Sequence, residues 1–262
     1  MRKNFDIIHG NPRQCLFAMV LPMMAAMFLN MAYNLVDSLW IGNLLGESAY
    51  AALTAATPIL LLLNSIAMGA TNGVAILLSQ AIGAGETRRT RTILFTSFIL
   101  SIVFSLGMTG LLEGMVSPLL RFLQVPSELY EMTCLYLRIY LIGYGAVYLY
   151  CYFAAVLRSF GDTVFQMLAM LVCTVLNGAL DPLLIHGFGL QGAAAATVLS
   201  QGICLGFMVC YLRKKALFSF HAADWSGKEL GAVCLKSLPA AFQQSIPAIS
   251  TSVLTAKSAV LG

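Results

Sequence analysis

The chain has 262 residues, of which 59% are hydrophobic and only 10% are charged, and its net charge is +4. Soluble domains carry charges at about a quarter of their positions, so this composition excludes a water-soluble protein and indicates lipid as its solvent. The seven cysteines and three histidines form neither a CxxC pair nor a cluster, and we interpret the cysteines as buried structural thiols. With no phosphate-binding glycine loop and no nucleophile–base pair at membrane depth, neither ATP hydrolysis nor another enzyme activity is expected.

Six segments are long and apolar enough to cross a bilayer as helices, which takes about 20 residues each. They lie near residues 15–40, 51–83, 92–120, 129–157, 164–185 and 190–212. A polar N-terminal segment, 1–14, precedes them and a basic loop, 213–236, follows them. A seventh helix is predicted to begin near Ser237, and the segment 237–262 to be its incomplete start.

Positive charge alternates between the predicted connections. Lysine and arginine lie before the first span and after the second, fourth and sixth, whereas the other connections carry only Arg121. Because cytoplasmic loops carry the lysine and arginine excess, we predict a cytoplasmic N-terminus.

The first span contains a polar stripe. Asn30, Tyr33, Asn34 and Asp37 follow offsets of 0, 3, 4 and 7, which places them on one helical face. A carboxylate at membrane depth costs about 3 kcal/mol or more and usually marks an ion or substrate path. The alternative is that these groups only hold helices together by buried hydrogen bonds.

The fifth span carries a second acid. Asn177 and Asp181 lie on one face of the helix. Pro182 has no backbone N–H to donate, so nearby carbonyl oxygens lose a hydrogen-bond partner. These oxygens, with the carboxylate and the amide, could bind Na⁺, or the carboxylate could form a desolvated proton site. The alternative is a kink with a capping acid. At about 1.5 Å per residue, Asp37, Asp181 and Thr197 of the sixth span fall in one layer of the outer half of the bilayer.

The fourth span contains tyrosines at every fourth position and one arginine. A step of four drifts by about 40° per repeat, so packing explains most of these rings, whereas some could contact substrate. Arg138 of this span either pairs with Glu113 of the third span or extends to the interface. The tyrosines are Tyr136, Tyr140, Tyr144, Tyr148 and Tyr152.

A weak internal repeat links the two ends of the chain. Leu21-Pro22 opens the first helix and Leu238-Pro239 opens the seventh, each after a basic stretch. When the two Leu-Pro pairs are aligned, Leu254 takes the position of Asp37, so the seventh helix has no acid at the equivalent position. Six helices and the start of another predict one lobe of a transporter with its twin missing, since many transporters are built from repeated bundles.

Five sequence motifs carry a resemblance to a known family. The chain is similar, over nearly its whole length, to the N-terminal lobe of the multidrug and toxic compound extrusion (MATE) family. The motifs are Tyr33-Asn34-Leu35-Val36-Asp37 with Ile41-Gly42, Leu176-Asn177-Gly178-Ala179-Leu180-Asp181-Pro182, Gly187-Phe188-Gly189-Leu190-Gln191-Gly192-Ala193-Ala194-Ala195-Ala196-Thr197, Gly83-Ala84-Gly85, and Arg158-Ser159-Phe160-Gly161-Asp162-Thr163.

The resemblance implies an all-α membrane protein with two six-helix bundles around a central cavity. The chain would be the N-lobe of this twelve-helix transporter plus the start of a seventh helix. The resemblance also implies drug efflux driven by entry of H⁺ or Na⁺. By matching position, Asp37, Asn177, Asp181 and Thr197 would form the proton or cation site, with Tyr33 beside it.

The predicted function is therefore a cation-coupled antiporter that exports drugs or toxic organic cations across a bacterial cell membrane. No organic cofactor and no nucleic-acid partner are expected. The partners would be the lipid bilayer, small organic cations and a second lobe. The alternatives are a flippase for lipid-linked oligosaccharides from the same superfamily and a non-transporting truncated membrane protein. The predicted substrate path comprises Tyr33, Asn34, Asn30, Tyr140 and Tyr144.

Overall fold

The computed structural model describes residues 12–215 and 225–261, with side chains in 13–215 and 225–250. Over these residues the chain forms seven α-helices and no strand. The predicted segment 1–14 lies almost wholly outside the described residues, and so does the side chain of Leu254. The helices are α1 (Pro12–Leu45), α2 (Glu47–Gly83), α3 (Thr87–Phe122), α4 (Ser127–Ser159), α5 (Thr163–Phe188), α6 (Leu190–Lys214) and α7 (Gly227–Leu261).

Helices α1 to α6 are long and apolar enough to cross a membrane, which confirms the predicted all-α membrane fold with six spans. Each helix extends a few residues past the predicted apolar segment, because helical hydrogen bonding continues into the polar ends that a hydropathy window leaves out. The first connection is much shorter than the gap between the predicted spans 15–40 and 51–83. Only Gly46 separates α1 from α2, and its φ of 82° is one that residues with a side chain rarely adopt.

Helix α4 lies at the centre of the bundle, in contact with α2, α3, α5 and α6. All five of its regularly spaced tyrosines are buried. The hydroxyl of Tyr140 donates to Oδ1 of Asn64 at 3.3 Å, and that of Tyr144 donates to the Leu63 carbonyl at 3.0 Å. These bonds join α4 to α2, which supports the packing interpretation of both residues.

Arg138 and Glu113 form the ion pair that the sequence left open. Nε of Arg138 lies 4.0 Å from Oε2 of Glu113, so the pair links α4 to α3. Pairing lowers the free-energy penalty that either charge would incur alone at membrane depth.

Helix α7 begins at Gly227, ten residues before the predicted start near Ser237, so the C-terminal part of the predicted loop 213–236 is helical. Ser226 caps this helix start, because its Oγ accepts from the Glu229 backbone nitrogen at 3.5 Å. Glu229 also accepts from Nε of Arg89 at 3.0 Å, which ties this helix end to α3. The boundaries of the predicted domains otherwise stay predictions.

Helix α7 packs along α2 at very short range. A Cβ atom added to Gly69 would lie 2.4 Å from Cα of Ala241, and one added to Gly73 would lie 2.4 Å from Cα of Ser237. Ser237 Oγ donates to the Ala70 carbonyl at 2.8 Å. Two glycines four residues apart therefore allow the two backbones to meet, as small residues do at helix crossings in membranes.

Candidate cation site in the six-helix bundle

Helices α1 and α5 bring the two predicted acids together inside the bundle. Asp37 is 9% exposed and Asp181 is fully buried. Their carboxylates lie within electrostatic range of each other. Two carboxylates that repel each other here favour a ligand of positive charge. Their position in one layer of the bilayer stays a prediction.

Four buried oxygens around these acids have no hydrogen-bond partner within the protein. Asn177 Nδ2 donates to Asp181 Oδ1 at 3.1 Å, which satisfies one carboxylate oxygen only. Buried polar atoms are nearly always hydrogen-bonded, so a group of unpartnered oxygens points to a ligand that they share. The unpartnered atoms are Asp37 Oδ1, Asp181 Oδ2, Asn177 Oδ1 and the Tyr33 hydroxyl.

The sequence of α5 explains this arrangement locally. Helix α5 continues through Pro182, which cannot donate a backbone hydrogen bond, so the Gly178 carbonyl lacks its usual helical partner. A Cβ atom on Gly178 would lie 3.3 Å from Cγ1 of Val36, the residue before Asp37. A glycine here therefore lets α1 approach α5 closely enough to bring the two acids near each other.

Helix α6 supplies the hydroxyl side of the site. Thr197 is buried, and the Tyr33 hydroxyl lies beside Thr197 and Ser200, although it forms no hydrogen bond of good geometry with either. Gly192 brings α6 against α5, because a Cβ atom there would lie 2.1 Å from the Leu184 carbonyl oxygen. Thr197 therefore lies beside Tyr33, and its part in the predicted site stays a prediction.

The structure divides the polar stripe predicted on α1. Tyr33 and Asp37 are buried, whereas Asn30 and Asn34 are exposed and bond to each other, with Asn34 Nδ2 3.1 Å from Oδ1 of Asn30. Offsets of 0, 3, 4 and 7 span about 100° of a helix, so the stripe is wide enough for one edge to turn outward. Contact of the two asparagines with substrate stays a prediction, as does that of Tyr140 and Tyr144.

One residue near the acids was missed by the sequence reasoning. Tyr136 is buried on α4, and its phenol lies within electrostatic range of both Asp37 and Asp181. It was predicted only as one of five packing tyrosines, because no feature of a single helix shows which neighbour it faces.

The ligand atoms that this site could offer are oxygens. In the part of the chain that the structure describes, no group of three or more His, Cys, Asp or Glu side chains could hold a metal ion. Two carboxylates, an amide, hydroxyls and a freed carbonyl suit a hard cation such as Na⁺, or a proton shared by the acids.

An open cleft of about 790 Å³ lies away from this site, between the N-terminal ends of α3 and α7, and includes the Arg89–Glu229 pair.

The MatE family model matches residues 22–183 of this chain, which include α5 as far as Asp181 and Pro182. The chain belongs to the MATE family. Members of this family are membrane transporters rather than enzymes, in agreement with the prediction from the sequence.

Similar proteins match the chain along almost all of its length. The probable multidrug resistance protein YpnP of Bacillus subtilis is 31% identical over 247 residues, which cover 93% of this chain and 56% of the relative. An FAD transporter of Shewanella oneidensis is 28% identical and covers 86% of this chain and 53% of its own length. The chain therefore spans about half the length of the curated relatives it matches.

Solved structures show the same fold. A MOP superfamily transporter from Pyrococcus furiosus, reported with a binding pocket of reverse polarity that suggests a different function, has a TM-score of 0.86 and 28% identity. The aligned region covers 93% of this chain and 55% of the transporter. The P26A mutant of a MATE protein has a TM-score of 0.85 and 27% identity, with coverage of 93% and 56%.

Proposed function

We propose that this chain is the N-lobe of a cation-coupled antiporter that exports drugs or toxic organic cations, and that it works with a second six-helix lobe. The coupling ion is H⁺ or Na⁺, held by Asp37, Asn177, Asp181 and Thr197. The observation that carries the proposal is the set of four unpartnered buried oxygens on α1 and α5.

The same oxygens support a mechanism of exchange. With both acids ionised, their mutual repulsion favours occupation by a cation, and occupation removes that repulsion. Because α1 and α5 hold one acid each, the presence or absence of the ion changes how closely these helices prefer to pack. Coupling then requires only that the ion and the organic cation prefer different helix arrangements.

The charge of the site separates this proposal from its alternatives. A transporter for anionic head groups or for an anionic cofactor, such as the FAD named for one relative, is better served by a basic cavity. Here the buried charged groups that keep an unpartnered atom are carboxylates. Among the described residues, Arg138 pairs with Glu113, and Arg158 donates to Oδ1 of Asn72 at 2.8 Å. The acidic site therefore favours an organic cation as cargo.

The direct test is export of ethidium from cells that lack their own efflux pumps. The chain is expressed alone and together with the C-terminal half of a two-lobe relative. Ethidium export is expected in the two-lobe form, and Asp37→Asn or Asp181→Asn is expected to reduce the rate by at least about tenfold, the scale of losing one essential charged group.

Asp162→Asn is the matched control, because this carboxylate lies at the α4–α5 turn and is paired with Lys215. Its export rate should stay near that of the parent at equal membrane abundance. Undiminished export by both Asp37→Asn and Asp181→Asn would contradict the proposed site. Absence of export from both forms of the parent would contradict the proposed activity.

A further inference from the structure

The fold brings together two cysteines that looked unrelated in the sequence. Cys173 of α5 and Cys204 of α6 are each 1% exposed and share one buried cluster with Tyr33 and Met170. Cys173 Sγ donates to Ser200 Oγ at 3.9 Å, and Ser200 precedes Cys204 by one turn of α6, so the two thiols lie in the same packed region. A thiol pair thus bridges the two helices that carry Asp181 and Thr197.

A third sulfur belongs to the same cluster. Met170 precedes Cys173 by one helical turn, and its sulfur accepts a hydrogen bond from the Tyr150 hydroxyl at 3.3 Å. No described histidine, aspartate or glutamate completes a group of three with these thiols. The sulfur atoms gathered here are one thioether and two thiols, with the hydroxyls of Tyr33 and Ser200 beside them. They lie one helical turn from the oxygen site at Asn177.

We propose that Cys173 and Cys204, with Met170 as a third ligand, bind a soft monovalent metal ion of the Cu⁺ or Ag⁺ class. Thiolate and thioether sulfur are the ligands that such ions prefer. Zinc is disfavoured because its structural sites use four nitrogen, oxygen or thiolate ligands in a tetrahedron.

The charge balance also favours a monovalent ion. Binding converts one thiol to a thiolate, whose proton leaves to solvent, while the other thiol and the thioether stay neutral. The ion and the single thiolate then form a neutral complex, which suits a buried place where a net charge would be expensive. A bound ion would fasten α5 to α6 one turn from Asn177, and this binding does not depend on whether the chain transports anything.

The test uses purified chain in detergent, titrated with Ag⁺ and followed by native mass spectrometry in competition with a soluble thiol chelator. The starting variant retains only Cys173 and Cys204. We expect one Ag⁺ per chain and release of one proton, and a loss of at least about tenfold in affinity for Cys173→Ser or Cys204→Ser. Met170→Leu should weaken binding less. The cysteines replaced by alanine are Cys15, Cys134, Cys151, Cys210 and Cys234.

A matched control retains only the exposed pair Cys210 and Cys234. It should lack the single tight Ag⁺ site. Equal affinity in this control and in the Cys173/Cys204 variant would overturn the proposal, as would independent binding of two Ag⁺ ions by Cys173 and Cys204.

X-ray absorption at the silver edge tests the unmodified chain, in case the multiple substitutions prevent folding. With one equivalent of Ag⁺, the spectrum should show two or three sulfur neighbours, and Cys173→Ser alone should remove one. One sulfur accompanied by oxygen or nitrogen neighbours, or a spectrum unchanged by Cys173→Ser, would overturn the proposed site.

Discussion

At the scale of single residues, two carboxylates differ in how far their hydrogen-bonding capacity is used: Asp162, which is half-buried, and Asp181, which is fully buried. Asp162 accepts hydrogen bonds from the Phe165 backbone nitrogen at 3.3 Å, from the Tyr211 hydroxyl at 2.5 Å and from Lys215 Nζ at 2.7 Å. Asp181 has one donor, Asn177, and lies in the electrostatic range of a second acid. The first arrangement stabilises the fold, whereas the second leaves capacity for a ligand.

This contrast predicts opposite effects of the same substitution. Asp162→Asn should lower the free energy of unfolding by about 1.5–3 kcal/mol, because it weakens hydrogen bonds to a charged group. Asp181→Asn should leave it unchanged or raise it in Na⁺-free buffer at neutral pH, because it removes a buried charge without a counter-ion. Thermal unfolding of the purified chain measures both. A loss for Asp181→Asn as large as that for Asp162→Asn would contradict a ligand role for Asp181.

The carboxyl of Asp162 also predicts a dependence on pH. Burial opposes ionisation, but the hydrogen bonds from Lys215 and Tyr211 prevail and hold the pKa of Asp162 below its ordinary value. A lowered pKa in the folded state gives stability that is fully present above the unfolded pKa of about 3.9. This stability is lost as the pH falls through the folded value.

Asp162→Asn should therefore destabilise the chain at pH 6, and its difference from the parent should shrink below about pH 4, the ordinary range of an aspartate. Unfolding measured from pH 6 to pH 3 tests this expectation. Lys215 adds no slope in this window because the pKa of its amine, hydrogen-bonded to Asp162, is raised and it stays charged. A difference that is constant across the range would show that Asp162 is not the titrating group.

At the scale of helices, the crossing of α2 and α7 depends on the absence of side chains at two positions. Gly69→Ala or Gly73→Ala should push α7 away by at least about 1 Å, because close carbon contacts need about 3.5 Å and the added Cβ atoms would lie 2.4 Å from backbone atoms. Oxidative cross-linking between Ala70→Cys and Ser237→Cys reports the contact. The yield should fall sharply in either alanine variant.

Gly107→Ala in α3 is the control for this experiment. A Cβ atom there meets nothing within 4 Å, so the substitution adds the same methyl group without a clash. Cross-linking should match the parent. An undiminished yield in Gly73→Ala would mean that the α2–α7 contact is looser than the structure has it.

The helices themselves could be predicted well from the sequence, because composition and apolar length decide what can span a bilayer. The start of α7 could have been predicted but was not: Ser226 and Glu229 have the spacing of a capping box, which the hydropathy argument ignored. The α2–α7 crossing could not be predicted. The sequence does not show that Gly69 and Gly73 face Ala241 and Ser237 on another helix.

At the scale of the whole molecule, some features of the candidate site follow from position along one helix, whereas others depend on how separate helices pack. Asp37, Asp181 and Thr197 were predicted to share one layer because helical rise converts sequence position into depth. Sequence position does not give the rotation of one helix against another. For that reason, the outward turn of Asn34, the inward position of Tyr136 and the pairing of Cys173 with Cys204 emerged only from the packing.

We propose above that Asp37 and Asp181 bind a coupling ion, H⁺ or Na⁺, whose release is linked to binding of an organic cation. The most direct measurement is ion release from the purified two-lobe protein on addition of tetraphenylphosphonium, with released protons followed in weak buffer and released ²²Na⁺ followed after loading. The account predicts release by the parent and by Asp162→Asn, and its loss in Asp37→Asn and Asp181→Asn. Release of either ion at the parent level from both site variants would contradict it.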